Sequence, residues 1–480
     1  MTTADFLPML PELFLLAGTC ALLLADLFIP AHRRGLTHFL ALAILLGTLV
    51  LGLRDASATP LSAFGGMFIR DMPGDILKAF SLVLTGAAMI YARPYLRDRG
   101  LFQGEFHLLC LFAVLGMMVL ISAGNLITVY LGLELLALSS YALVALHRDN
   151  GQASEAAMKY FVLGTLASGM LLYGMSMVYG VTGSLDLATI HAASSELGDN
   201  RGLMLFGVAF MIVGIAFKLG AAPFHMWLPD VYHGAPTAIT LFIGSAPKLA
   251  AFAMAWRLLD GGAGEFSQWW REAIVWLAVI SLVVGNVIAI AQTNIKRMLA
   301  YSTISHIGFL FLGLSNPGAG GYAAALFYVI SYALMAAGAF GAVILLSRKG
   351  YEAENIADFA GLARRHPWHG FMILLLMASL AGLPPLLGFW AKLAVLQAVI
   401  DGGMLWAAIV GIVFAVIGAY YYLRVIKVMF FDPVDESGKA GVVDDTQLHW
   451  LLSANALLML VLGVFAGPLQ GWCARAFGLA

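Results

Sequence analysis

The feature that most constrains the fold of this chain is a series of apolar stretches that follow one another from end to end. Each stretch has about 20 residues, enough to cross the hydrocarbon core of a bilayer as an α-helix. The chain is 61% hydrophobic and 11% charged, whereas an average soluble domain has about 25% charged residues. We therefore predict an all-α polytopic membrane protein.

The apolar stretches predict about 14 transmembrane helices. The first lacks a basic n-region, so we expect a retained span rather than a cleaved signal peptide. The predicted spans are 9–29, 37–54, 74–93, 105–122, 124–146, 155–181, 203–231, 236–259, 270–294, 298–315, 319–347, 370–400, 404–431 and 448–472.

The loops between these spans differ in charge. With the N-terminus outside, Lys and Arg are about twice as frequent in the inner loops as in the outer ones, as the positive-inside rule requires. The inner loops then include Arg33, Arg34, Lys296, Arg297 and Lys439. We predict that both termini lie on the outer side.

Two predicted spans contain helix breakers close to a lysine. In the seventh span Pro223 follows Lys218, and in the twelfth span Pro384 and Pro385 precede Lys392. Proline removes a backbone donor and clashes with the preceding turn, so both helices should be discontinuous. Backbone groups freed at membrane depth are tolerated only in a protein-lined or wet cavity. We expect such a cavity at each break.

The two breaks lie five spans apart, which suggests an internal repeat. An odd number of spans turns the second unit upside down, as in many transporters; accidental register of two proline-containing helices is the alternative. We predict an N-terminal three-helix segment (1–104), a first five-helix repeat (105–259), an inverted second repeat (270–431) and a C-terminal helix (432–480).

Charged residues inside the apolar stretches point to transport. Glu134, Lys218 and Lys248 each lie deep in a predicted span, where a charge costs about 2.5–3.5 kcal/mol on insertion scales. Burial disfavours a charged amine and a nearby carboxylate favours it, so such a lysine can release and rebind a proton. We predict proton transfer by these residues. A static buried ion pair or a polar packing contact is the alternative.

Five further residues are weaker candidates. Lys392 is deeper than a simple membrane anchor, and Lys159 follows Glu155 by four residues, a spacing that also fits an ordinary surface pair. His306 stands in a polar cluster with Tyr301, and His225 lies just beyond the first break. A histidine titrates near neutral pH and is able to relay protons, although a buried histidine also occurs as an ordinary core residue.

Other kinds of chemistry find no support in the sequence. The three cysteines, Cys20, Cys110 and Cys473, have no CxxC spacing for an iron–sulfur or zinc site. No phosphate-binding loop or dinucleotide fingerprint occurs, and a net charge of −1 gives no basis for nucleic-acid binding. We expect no cofactor and no metal in this chain.

Four stretches resemble a known family, the antiporter-like subunits of respiratory complex I and of multisubunit cation/proton antiporters. Residues 218–237 (KLGAAPFHMWLPDVYHGAPT) and 296–308 (KRMLAYSTISHIG) resemble signatures shared by the whole family. Residues 157–174 (AMKYFVLGTLASGMLLYG) and 382–392 (GLPPLLGFWAK) resemble more closely the N-type branch of the bacterial NADH–quinone oxidoreductases.

The resemblance implies roles for particular residues. Glu134 and Lys218 would form a charge pair, and Lys248, His306 and Lys392 would extend a hydrated axis through the middle of the membrane. Lys159 would be an additional buried lysine. The function implied is proton translocation within NADH:quinone oxidoreductase, driven by redox chemistry in other subunits.

The resemblance also implies surroundings for the chain. K-type and M-type subunits would flank it, the lateral helix of the L-type subunit would lie against it, and lipids would contact it. NADH, FMN, iron–sulfur clusters and quinone would bind other subunits. The location would be a bacterial inner membrane with both termini periplasmic.

Two other functions remain open from the sequence. A subunit of a Na⁺/H⁺ antiporter would use the same lysines but need a cation site, and the apolar stretches offer no cluster of carboxylates beyond Glu134. A structural membrane scaffold would need none of the charged residues.

Overall fold

The computed structural model describes residues 6–54, 59–433 and 441–479, and nearly all of its regular structure is helical. Within these residues, 11 helices are long and apolar enough to cross a membrane. The prediction of an all-α polytopic membrane protein is therefore confirmed. Lys439, one of the residues used to predict the orientation, lies outside the described part of the chain.

The first part of the chain forms helices separated by short connections. They are α1 (Leu10–Asp26), α2 (Arg34–Arg54), α3 (Met72–Asp98), α4 (Gly104–Ile121), α5 (Leu126–Val144), α6 (Gly151–Thr182), α7 (Leu187–Ala193), α8 (Arg201–Leu219), α9 (Trp227–Gly234), α10 (Thr237–Gly244) and α11 (Ala246–Trp256).

The second part continues in the same way. Its helices are α12 (Ser267–Ala291), α13 (Ile295–Leu314), α14 (Ala319–Leu346), α15 (Leu362–Arg365), α16 (Pro367–Ala381), α17 (Leu387–Asp401), α18 (Leu405–Phe431), α19 (Thr446–Val464) and α20 (Ala466–Ala476). A π-helical turn, Arg257–Gly262, follows α11, and 3₁₀ turns cover Ala31–Arg33, Gly198–Asn200, Gly264–Phe266 and Ile356–Phe359.

A two-stranded antiparallel hairpin, β1 (Leu61–Ala63) and β2 (Phe68–Arg70), lies between α2 and α3. Several helices begin at side-chain caps. Asp71, Asn125, Asn150 and Asn294 each accept a hydrogen bond from a backbone N–H in the first turn that follows. These caps satisfy donors that a helix start leaves free.

Four predicted spans are each divided into two helices. The seventh is α8 and α9, and the twelfth is α16 and α17, so the structure shows both predicted discontinuities. The eighth span divides at Ser245 into α10 and α11, and the fourteenth divides at Phe465 into α19 and α20. These two divisions were not predicted.

The middle of the molecule is formed by helices that meet protein on every side. The apolar window within 237–262, which holds α10 and α11, is 100% buried, and so is the window of α14. The window of α6, by contrast, is only 33% buried. Because α14 packs against α10, α13 and α17, it joins the two parts of the chain.

Glycines allow some neighbouring helices to approach closely. A Cβ atom at Gly285 in α12 would lie 2.5 Å from the backbone nitrogen of Ser305 and 2.8 Å from the carbonyl oxygen of Tyr301, both in α13. Small residues that let backbones touch are typical of membrane helix interfaces. This contact holds the helix that carries His306 against α12.

We expect Gly285→Leu to separate α12 from α13 and to destabilise the protein by about 1–3 kcal/mol, as overpacking does elsewhere. The melting temperature in detergent and the amount of protein in membranes measure this effect. Gly169→Leu is the matched control, because among the described residues no atom outside its own helix backbone lies within 4 Å of a Cβ at that position. Equal behaviour of the two variants would contradict the close contact.

Candidate functional site

The first break in a helix places charged and polar atoms in the interior. Helix α8 ends with Lys218 and Leu219, and Gly220 follows in the left-handed region at φ 86°. The N–H groups of Gly220 and Ala221 both donate to the carbonyl of Ala216, at 2.9 and 2.8 Å. This cap satisfies the carbonyl of Ala216, and the carbonyl of Leu219 remains as an acceptor for a side chain.

Lys248 binds that acceptor. Its Nζ donates to the carbonyl oxygen of Leu219 at 2.7 Å, and the side chain is 2% exposed. The ring of Trp227 adds a cation–π contact, with Nζ 5.5 Å from its centroid. The ammonium therefore lies at the negative end of the α8 dipole, where a cation is stabilised.

The second break repeats this arrangement. Helix α16 ends at Ala381, and Gly382 follows, also at φ 86°. Lys392 donates from Nζ to the carbonyls of Leu380 at 3.1 Å and Ala381 at 3.0 Å, and lies 5.4 Å from the Phe309 ring centroid. In both breaks a lysine from a later helix holds the carbonyl end of a half-helix.

Glu134 and Lys218 lie near each other but do not touch. Their charges attract across the protein interior, yet within the described residues Glu134 has no salt-bridge partner within 4.0 Å. Its Oε1 atom is buried without a hydrogen-bond partner. A small cavity lined by Lys218, Tyr141 and Tyr160 lies between α5, α6 and α8. In this conformation Glu134 and Lys218 therefore attract each other at a distance and do not form a salt bridge.

His306 is at the centre of a hydroxyl cluster. The residue is 3% exposed; its Nδ1 hydrogen-bonds to the hydroxyl of Tyr328 at 2.7 Å and its Nε2 to the hydroxyl of Tyr422 at 3.1 Å. Tyr422 is also hydrogen-bonded to Ser302. Both ring nitrogens therefore have partners that are able to donate or accept a proton.

More hydroxyls lie between this cluster and the first half of the chain. Tyr332 donates to Thr303 at 2.8 Å, and Tyr332 and Tyr160 are both electrostatic neighbours of Tyr232. The Tyr232 hydroxyl is buried without a hydrogen-bond partner. The sequence analysis missed these tyrosines. Tyr328 and Tyr332 are one turn apart on the buried helix α14. This spacing in the sequence could have indicated that both hydroxyls lie on the same face of one helix.

A polar cavity opens on the side that carries the basic loops. Its wall includes Tyr95, Arg99, Lys296, Glu352 and Glu354. Glu352 accepts hydrogen bonds from the Tyr95 hydroxyl at 2.9 Å and from the Thr237 hydroxyl at 2.5 Å, and it pairs with Arg99. Because Thr237 begins the buried helix α10, this cavity meets the protein interior.

Lys296 and Glu354 line the same cavity. Lys296 was counted as a loop residue, but the structure buries it to 2% exposure, with Nζ donating to the Ala235 carbonyl at 3.0 Å. Its Nζ lies 3.9 Å from the Glu354 carboxylate. Burial raises the pKa of the Glu354 carboxyl; Lys296 opposes the rise, and Glu352 and Asp358 add to it.

The remaining predicted residues lie apart from this arrangement. Lys159 is not buried within the chain: its side chain is 44% exposed and pairs with Glu155 and Asp230, each at 2.9 Å. The spacing of four residues from Glu155 is that of a surface pair on a helix, and a second salt bridge joins Lys159 to Asp230. His225 is half-buried in the first break. Tyr301 is half-buried, and its hydroxyl is not among the hydrogen bonds of the His306 cluster.

Two helices are interrupted, and a lysine binds the free carbonyl groups at each interruption. Discontinuous helices of this kind are typical of membrane transporters. The family described as NADH:quinone oxidoreductase/Mrp antiporter, TM matches residues 123–418. NADH-quinone oxidoreductase subunit N of Xanthomonas euvesicatoria pv. vesicatoria (strain 85-10) is 58% identical over 482 residues, covering 100% of this chain and 98% of that relative. The chain therefore belongs to this family, in the branch of the N subunits of NADH-quinone oxidoreductase.

Solved structures share the fold. A chain of respiratory complex I from Thermus thermophilus, determined with bound aureothin, matches with a TM-score of 0.82 and 32% identity, covering 97% of this chain and 100% of that one. A chain of the Mrp complex from Dietzia sp. DQ12-45-1b matches with a TM-score of 0.84 at 21% identity, covering 99% and 97%. The second likeness concerns the fold alone.

The raised pKa of Glu354 gives a prediction about pH. A carboxyl whose pKa is higher in the folded than in the unfolded protein binds protons more tightly when folded, so stability falls as pH rises through and above the ordinary carboxyl range. We expect Glu354→Gln to remove part of this fall, because the amide stays neutral. His233, Lys296, Glu352 and Asp358 face this carboxyl and stay unchanged.

The melting temperature of the purified protein, measured from acid to neutral pH, tests this expectation. Glu105→Gln, at an exposed position in the first turn of α4, is the control and should leave the slope as in the wild type. The same slope in wild type and Glu354→Gln would contradict the raised pKa.

Proposed function

We propose that this chain is a proton-translocating membrane subunit of an NADH:quinone oxidoreductase. The observation that carries the proposal is that Lys248 and Lys392 each hold the free carbonyl end of a half-helix inside the protein. An ammonium held this way is stabilised, but it can lose its proton because the carbonyl oxygens bear no full charge. The N-subunit relatives support the choice of complex.

The first step depends on the distance between Glu134 and Lys218. A carboxylate near the amine favours its charged form. In this mechanism, charge movement in an adjacent subunit draws Glu134 away, and Lys218 then releases its proton. Lys248, the next amine along the axis, accepts this proton after its own ammonium has passed one on, because two neighbouring ammonium groups repel each other. A tenfold change in proton affinity requires only about 1.4 kcal/mol.

The proton then passes between the two halves of the chain. In this mechanism Tyr232, Tyr332 and His306 lie between the first break and Lys392, and hydroxyl and imidazole groups are able both to donate and to accept a hydrogen bond. Water completes the chain where side chains do not touch. Lys392 is an electrostatic neighbour of His306 and delivers the proton to the outer side.

The cavity lined by Lys296, Glu352 and Glu354 supplies protons from the inner side in this mechanism. Glu352 binds Tyr95 and Thr237, and Thr240, one turn further in α10, donates to the carbonyl of Tyr232 at 3.0 Å. The polar groups therefore continue from the cavity toward the His306 cluster.

The finer architecture belongs to the same proposal. We infer about 14 spans, with 105–259 and 270–431 as inverted repeats and both termini on the periplasmic side of a bacterial inner membrane. The matching glycine caps and lysine contacts at the two breaks support the repeat. K-type, M-type and L-type subunits are the neighbours, and NADH, FMN, iron–sulfur clusters and quinone bind elsewhere in the complex.

We expect Lys248→Met to lower coupled proton pumping by about tenfold or more, the factor that corresponds to 1.4 kcal/mol of barrier. Methionine keeps most of the volume and removes the proton-carrying group. Pumping is measured with a pH-sensitive dye in vesicles, alongside NADH:quinone reduction. Lys218→Ala should have a similar effect.

Lys427→Met is the matched control, because that side chain is 62% exposed and pairs with Asp432. It should leave pumping unchanged. If Lys248→Met, Lys218→Ala and Glu134→Gln all pumped at the wild-type level in an assembled complex, the chain would be a scaffold rather than a translocator.

A Na⁺/H⁺ antiporter subunit is the second candidate, since the fold also matches a chain of an Mrp complex. Within the described residues, no group of three His, Cys, Asp or Glu side chains is placed to hold a metal ion. Vesicles that contain the assembled protein separate the two functions: sodium-dependent proton movement without NADH would favour the antiporter.

A further inference from the structure

A groove outside the proton-transfer site lies at the end of α3 that carries the basic loops. It runs between the first turns of α2, the last turns of α3 and the first turns of α19. Its wall is apolar and includes Phe39, Leu42, Ile90 and Leu451. Phe39 is 67% exposed and Trp450, at the rim, is 74% exposed. Among the residues that the structure describes, nothing covers this surface.

Two positively charged arginines of α3 lie at the open end of this groove. Arg93 lines it, and Arg97 follows one turn later on the same helix. The two guanidinium groups repel each other. Within the described residues, no carboxylate forms a salt bridge with either of them. Asp445 is the acidic neighbour of Arg97, but its carboxylate accepts the N–H of Leu448 at 3.0 Å and caps α19.

Arg93 also has an unused donor. It is hydrogen-bonded to the side chain of Gln447, whereas its buried Nε atom has no hydrogen-bond partner among the described residues. A buried donor without a partner costs about 1–3 kcal/mol. An anion between the two arginines would offset the repulsion between their guanidinium groups.

The position of Arg93 indicates which anion fits. It lies five residues before Asp98, the end of α3, or about 8 Å from the helix end at 1.5 Å per residue. A position this close to the end of a 27-residue spanning helix is near the lipid headgroups, and the apolar wall continues from there toward the middle of the helices. Trp450 at the rim suits the interface, where tryptophan is enriched. A free phosphate would leave the apolar wall uncovered.

We propose that this groove binds an anionic phospholipid. The phosphate lies between Arg93 and Arg97, and one acyl chain lies along Phe39, Leu42, Ile90 and Leu451. Arginine recognises phosphate through charge-assisted hydrogen bonds, and basic pockets between transmembrane helices on the cytoplasmic side bind anionic headgroups.

The test uses the assembled complex in vesicles of phosphatidylcholine that contain a photoactivatable phosphatidylglycerol. After illumination, mass spectrometry of peptides identifies the labelled residues. We expect labels on the peptides that contain Phe39 or Trp450. Unlabelled phosphatidylglycerol should prevent labelling, and additional phosphatidylcholine should not.

The double substitution Arg93→Gln and Arg97→Gln should lower this labelling by about tenfold, which corresponds to 1.4 kcal/mol of binding free energy. Arg364→Gln is the matched control, since Arg364 is exposed and does not line the groove. Proton pumping by each variant shows that the complex is assembled. The competition experiment with the wild-type complex tests the proposal even where the double variant does not assemble.

Four outcomes would overturn the proposal. They are unchanged labelling in the double variant, equal competition by phosphatidylcholine, loss of labelling on addition of inorganic phosphate alone, and labels on a neighbouring subunit in place of the groove peptides. The third would indicate a simple anion site and the fourth a protein interface.

Discussion

The structure depends on one interaction, a lysine ammonium that binds backbone carbonyls left free where a helix is interrupted. Within a membrane, an interrupted helix leaves backbone carbonyl groups without their usual N–H partners and away from bulk water. A buried lysine brings a charged ammonium group that needs hydrogen-bond acceptors. Lys248 on Leu219, and Lys392 on Leu380 and Ala381, solve both problems together. Each lysine stabilises its break, and each break provides a site for its lysine.

This interaction explains why the molecule is built around a protein-lined centre. Backbone carbonyls attract a cation, but they favour the charged form of a lysine less strongly than a carboxylate would. The surrounding helices must exclude lipid for the contact to last, and α10, α11 and α14 are buried on all sides. The tyrosine hydroxyls around His306 then provide polar contacts in a region that is otherwise apolar.

Much of this could be predicted from the sequence, because the signals are local. Pro223, Pro384 and Pro385 interrupt apolar stretches, so both breaks were found, and Lys218 and Lys248 were found because charge is rare there. The acceptor of Lys248 could not be predicted, since Leu219 is 29 residues earlier in the chain.

Other parts of the site have no distinctive signal in a single sequence. Tyr232 and Tyr332 look like ordinary aromatic core residues. Lys296 and Glu352 look like loop charges, and only the folded chain brings them to one cavity. The resemblance implied a buried Lys159, whereas within this chain the side chain is 44% exposed and pairs with Asp230 of another helix, a contact that the sequence does not indicate.

Helix α14 has a consequence for the conditions in which the protein works. Membranes differ in hydrophobic thickness, and helices that face lipid respond by tilting or bending. The apolar window of α14 is 100% buried, so such changes reach it only through its neighbours. Tyr328 and Tyr332, which it carries, should therefore keep their spacing when the lipid composition of the cell changes.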